Sequence, residues 1–136
     1  MNRTIKFRGQ HFETEEWIFG DLINNGFDGT AFFLKGIKPT SEYPICVDMN
    51  TVGQFSGLED INGVEIYESD ILSKRWKCEV YVSDEGTFMV KFHTNPQKNK
   101  PMTLKKYLNH RVKAGTSDID CKIIGNIHEN PELLNN

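Results

Sequence analysis

Two alternating runs joined by four turn-forming residues constrain this chain more than any other feature of its sequence. From Lys77 to Ser83, the residues Cys78, Val80 and Val82 fall on one side and Lys77, Glu79 and Tyr81 on the other. After Ser83-Asp84-Glu85-Gly86, the run Thr87 to Phe92 alternates again, with Phe88, Val90 and Phe92 opposite Thr87, Met89 and Lys91. Successive side chains of an extended strand point to opposite faces, so each run reads as a strand with one face in a core, and the short polar turn makes the pair antiparallel.

Other segments carry the same kind of signal. Thr4 to Arg8, Trp17 to Ile23 and Thr30 to Ile37 read as strands, the last two flanking the turn Asn24 to Gly29. Lys38 to Pro44 holds two prolines in a polar stretch and reads as a loop. Asp60-Ile61-Asn62-Gly63-Val64-Glu65 places Asn-Gly between apolar-containing runs, which predicts a two-residue hairpin turn with positive φ at both central residues. Cys121 to Ile127 reads as a closing strand, followed by Asn130-Pro131-Glu132, the order of a cap and a first helical turn.

One segment has a helical period. Between Thr103 and Val112, Leu104, Tyr107, Leu108 and Val112 share a face, and Lys105, Lys106, Asn109, His110 and Lys113 share the other, with Gly115 placed to end the helix. The expected fold class is therefore α+β and mainly antiparallel β. About Tyr67 to Ile127 would form a small curled sheet or open barrel, with one amphipathic helix, about 103–112, packed on it. The expected organisation is a single domain over 1–136, subdivided into an N-terminal lobe, 1–60, and a C-terminal lobe, 61–136.

Composition bounds the function. Nine Phe, four Tyr and two Trp supply apolar surface that disordered chains lack. The segment Met1 to Trp17 carries charges throughout, which excludes a secretory signal or spanning helix there and leads to an expected cytoplasmic location without membrane association. Three cysteines, Cys46, Cys78 and Cys121, form no even framework and read as reduced core residues. Lys91, Lys98, Lys100, Lys105, Lys106, Arg111 and Lys113 fall between Gly86 and Ser117 without an intervening acid. Of these, Lys98, Lys100, Lys105, Lys106 and Lys113 are the candidate nucleic-acid contacts. The sequence pI near 5.8 runs against that reading, because nucleic-acid-binding domains commonly exceed about 9.

Three long blocks carry a family resemblance. Val52-Gly53-Gln54-Phe55-Ser56-Gly57-Leu58-Glu59-Asp60-Ile61-Asn62-Gly63-Val64-Glu65-Ile66-Tyr67-Glu68-Ser69-Asp70-Ile71 resembles the signature of the YopX family of phage and prophage proteins. Ile5-Lys6-Phe7-Arg8 with Trp17 downstream resembles its opening, and Ile124-Gly125-Asn126-Ile127-His128-Glu129-Asn130-Pro131-Glu132-Leu133-Leu134 its close. The resemblance implies a bacteriophage or prophage origin and a β-rich fold with some helix, and it brings no activity, substrate or catalytic residue to transfer. The family usually has glycine where this chain has Ser69, from which we expect that the turn here does not demand positive φ.

The remaining motifs are weighed against ordinary structural roles. Asp60, Glu65, Glu68 and Asp70, with Glu59, are an acidic cluster that would suit a divalent cation or general acid and base work in a hydrolase-like enzyme. The spacing is not that of a calcium loop, since Gly63 is fourth and position twelve is Ile71. Gly53-Gln54-Phe55-Ser56-Gly57 misses the nucleophile-elbow spacing by one residue. His11, His93, His110 and His128 show no metal-ligand spacing. No catalytic residue, metal or cofactor is expected. The leading expectation is a non-enzymatic binding or assembly module, with self-association through sheet edges and a phage or host protein as partner.

Overall fold

The computed structural model describes residues 4–23, 31–36, 45–73, 77–93, 100–109 and 121–134. Its strands are β1 (Phe7–Gln10), β2 (Trp17–Ile23), β3 (Ala31–Gly36), β4 (Ile45–Asp48), β5 (Gly53–Glu59), β6 (Glu65–Tyr67), β7 (Asp70–Ser73), β8 (Lys77–Val82), β9 (Phe88–Phe92), β10 (Met102–Thr103) and β11 (Lys122–Asn126), with one α-helix, α1 (Leu104–Asn109), between β10 and β11. Among the described residues the fold is mostly antiparallel strand with one short α-helix and no closed barrel. The opening strand lies at Phe7–Gln10 rather than Thr4–Arg8. The turn Asn24 to Gly29, the loop Lys38 to Pro44 and the helical positions from His110 to Gly115 lie outside the described residues. The chain divides into two compact units, Met1–Gly57 and Leu58–Asn136.

In the first unit the strand order is β4-β3-β2-β1-β5. Every pairing given for these strands is antiparallel, and β1 meets β2 from Phe7↔Gly20 to Gln10↔Trp17. Val47 is fully buried and sits so close to Gly9 that a Cβ there would lie 3.0 Å from its methyl, so a larger residue at position 9 would require Val47 to give way. The guanidinium of Arg8 lies 4.5 Å over the Trp17 ring, which lets a charged side chain be almost wholly covered.

The second unit is built on the five-stranded sheet β10-β9-β8-β7-β11. The alternation in β8 and β9 holds: Cys78, Val80 and Val90 are fully buried, and Val80 faces Val90 across the ladder. Helix α1 packs its Leu104 and Tyr107 onto this face, and Ile66, Leu72 and Cys121 complete the cluster. Thr103 caps the helix, its Oγ1 accepting from the Lys106 N–H at 3.1 Å. The Asn130-Pro131 signal yields a single 3₁₀ turn, Pro131–Leu134.

Two turns in this unit share one geometry. The Asp60 N–H donates to the Val64 carbonyl (2.8 Å) and the Gly63 N–H to the Asp60 carbonyl (3.0 Å); the Ser83 N–H donates to Thr87 (2.9 Å) and the Gly86 N–H to Ser83 (2.8 Å). Only the glycines have positive φ, +77° and +83°. These are three-residue loops closed by a left-handed glycine, so the expected two-residue turn at Asn62-Gly63 is corrected: the Asp60 side chain holds the loop open by one residue. Gly63→Val still forces a β-branched residue into left-handed backbone. We expect it to cost about 1–3 kcal/mol, read from urea denaturation.

Ser69 overturns a second expectation. Its φ is +80°, so the turn between β6 and β7 does demand the left-handed conformation that glycine would supply freely. The backbone is held there from both sides: the Ser69 N–H donates to Val80 (2.8 Å), and its carbonyl accepts from Ile127 (3.0 Å). Ser69→Gly is therefore expected to stabilise the protein by about 1 kcal/mol in the same denaturation experiment.

Candidate functional site

Asp60 stands at the end of β5 and is only 8% exposed. One carboxylate oxygen accepts from the backbone N–H groups of Asn62 (2.8 Å) and Val64 (2.9 Å), and the other from Ile123 in β11 (3.1 Å). A backbone bond from the Ile61 N–H to the Cys121 carbonyl (3.0 Å) runs alongside. The carboxylate thus ties the β5–β6 hairpin to the last strand, with three donors spread over both its oxygens.

The other members of the acidic cluster differ in setting. Asp70 is buried, and its carboxylate accepts from the Tyr67 N–H at 2.8 Å, closing the turn before β7. Glu65 and Glu68 are half-buried, and Glu59 is exposed on the hairpin. Among the described residues no group of three or more His, Cys, Asp and Glu side chains is arranged to hold a metal ion. Lys100, Lys105 and Lys106 are exposed, the last two on α1, whereas Lys98 and Lys113 lie outside the described residues.

Beside the hairpin lies a cavity of about 360 Å³. Leu58, Ile61 and Leu108 give it apolar walls, and Glu59, Asp60, Lys105, Asn109 and Cys121 add polar groups. Its volume falls at the small end of ligand sites, and the carboxylates of Glu59 and Asp60, the Lys105 ammonium and the Asn109 carboxamide near apolar walls suit an apolar group with adjoining polar atoms. Sequence reasoning singled out Asp60, Glu59, Lys105, Leu108 and Cys121 in other roles but missed their grouping, because three separated segments build it. Ile61 and Val64 are exposed apolar residues on the hairpin.

Behind the helix, the Tyr107 hydroxyl is hydrogen-bonded with the thiols of both Cys78 and Cys121. Burial pushes the Cys78 thiol up to about 12, against the opposing pull of that hydrogen bond. Burial, followed by the neighbouring thiols, likewise raises the Tyr107 hydroxyl. A neutral buried thiol such as Cys78 is a poor nucleophile, which suits a packing role. Cys46 departs from the expected burial and is only half-buried.

The histidines serve locally. The His11 Nδ1 accepts from the N–H groups of Glu13 (3.1 Å) and Thr14 (3.4 Å), organising the turn before β2. His93 meets Glu79 at 3.2 Å on the sheet surface, where Lys91 also approaches Glu79 at 3.8 Å. His110 lies outside the described residues. The backbone N–H of His128 donates to the Asn126 side chain at 3.0 Å.

The crystal structure of protein EF1440 from Enterococcus faecalis is similar to this chain at 26% identity with a TM-score of 0.58, covering 96% of this chain and 98% of that one. No functionally curated protein matches. Among the described residues no helix is long and apolar enough to cross a membrane. The profile of the YopX protein family matches residues 6–135, nearly the whole length, and the chain belongs to that family.

Proposed function

We propose that this YopX protein is a phage or prophage accessory protein of the host cytoplasm that acts as a non-enzymatic binding module. The observation that carries the reading is the cavity beside the β5–β6 hairpin, whose Leu58, Ile61 and Leu108 walls sit with Lys105 and Asn109. A partner-protein segment that inserts an apolar side chain and sets a polar group beside Lys105 and Asn109 fits that chemistry. The engagement of Asp60 and Asp70 by backbone donors favours binding over acid and base work at the acidic cluster.

The test compares the tagged protein with an Ile61→Asp/Lys105→Glu variant in phage-carrying host cells. A partner cross-linked to the parent and lost from the folded variant supports the reading. Identical capture by both would remove the cavity from it. Light scattering shows whether a second copy is the partner. Submicromolar DNA binding that weakens steeply with salt would replace the reading with the nucleic-acid one.

A further inference from the structure

We infer that Asn62 is a spontaneous modification site at which the folded protein ages, and that Asp60 sets how fast this happens. The inference is independent of what the cavity binds. Asn62 and Gly63 are both exposed on the hairpin. An asparagine followed by glycine is open to attack on its side-chain carbonyl by the next peptide nitrogen, because glycine offers no side chain to obstruct the approach. The Gly63 nitrogen forms a bond to the Asn62 Cγ, the bond from Cγ to the side-chain nitrogen breaks, and ammonia leaves with the proton that Gly63 gives up. Water then opens the resulting succinimide at either carbonyl, leaving aspartate or isoaspartate.

The folded geometry opposes the first step. Three consecutive peptide nitrogens are tied to one residue: Asn62 N–H (2.8 Å) and Val64 N–H (2.9 Å) donate to the Asp60 carboxylate, and Gly63 N–H (3.0 Å) donates to the Asp60 carbonyl. The attacking nitrogen must first leave its acceptor and lose a proton, so the reaction runs through local opening of the loop. The isoaspartate product carries the chain through the former side-chain carbon. That adds a methylene between residues 62 and 63 and a new carboxylate near Asp60, so the three-residue loop no longer closes as before. Ile61, on the cavity wall, shifts with it.

Peptide mapping by mass spectrometry, with isoaspartate detection, follows Asn62 in the full chain at mildly alkaline pH with and without denaturant. Loss in the folded protein is expected to be roughly tenfold or more slower than in denaturant. Asp60→Ala, which removes both side-chain bonds but keeps the carbonyl that holds Gly63, should speed the folded reaction toward the denatured rate, while Asp60→Asn, which keeps an oxygen acceptor for Asn62 and Val64, should stay slow. Hydrogen exchange of the Gly63 amide in the unaltered protein supplies a readout that needs no variant, and should show protection. Equal rates in folded and denatured protein, an unprotected Gly63 amide, or a folded Asp60→Ala chain that ages no faster would each overturn the inference.

Discussion

Replacing Asp60 with alanine is expected to destabilise the protein by about 3–5 kcal/mol, the largest effect of any single surface-adjacent substitution proposed for it. The side chain is almost fully covered and accepts from Asn62, Val64 and Ile123. Hydrogen bonds to a charged acceptor contribute about 1.5–3 kcal/mol each, and their removal leaves three part-buried N–H groups without this acceptor. The losses overlap, because one side chain closes the loop and attaches it to β11, so their sum overstates the effect. Asp60→Asn should lose about 1–2 kcal/mol, since its amide oxygen serves the loop while its NH₂ group meets the Ile123 donor. Urea titrations of the three proteins check this order. A neutral Asp60→Ala would mean that the carboxylate is not the tie described.

Alkaline solution is expected to weaken the fold through Cys78. Unfolded, its thiol ionises near the ordinary value of 9.0; folded, burial holds the proton until about pH 12. Below about 9 both states are protonated and pH has no effect through this group. Between 9 and 12 the unfolded chain ionises first, so unfolding gains about 1.4 kcal/mol per pH unit, or on the order of 4 kcal/mol across the window. The raised Tyr107 hydroxyl acts in the same direction. Cys78→Ala should be less stable at neutral pH yet show a shallower alkaline decline. Parallel declines would contradict a buried, protonated thiol.

What the sequence disclosed follows the range of the interactions concerned. The strands around Ser83 to Gly86 were legible because alternation and a polar turn are local, and the start of α1 because Leu104 and Tyr107 keep a helical period. Gly63 revealed a hairpin but not its loop length. That depends on the Asp60 side chain, and the acceptor it offers to Ile123 is 63 residues away in sequence. An aspartate three positions before a turn glycine is the signal that could have marked Asp60 as a brace of the loop. Ser69 was misread because a serine gives no local sign of left-handed backbone. Its conformation is imposed by Val80 and Ile127, partners distant in sequence but adjacent through β7. The cavity was hidden for the same reason.

The position of β7 has a consequence for how the chain comes to be folded. Its neighbours are β8, which follows almost at once, and β11, which is synthesised some fifty residues later. The β7–β8–β9 meander can assemble from nearby contacts, but one border of β7 waits for β11. During that interval a strand carrying Ile71 and Leu72, both fully buried in the finished protein, presents unpaired amide and carbonyl groups. A nascent chain that stalls before Cys121 would therefore expose an apolar border able to recruit other strands, so premature termination late in translation should yield insoluble product rather than a shortened soluble one.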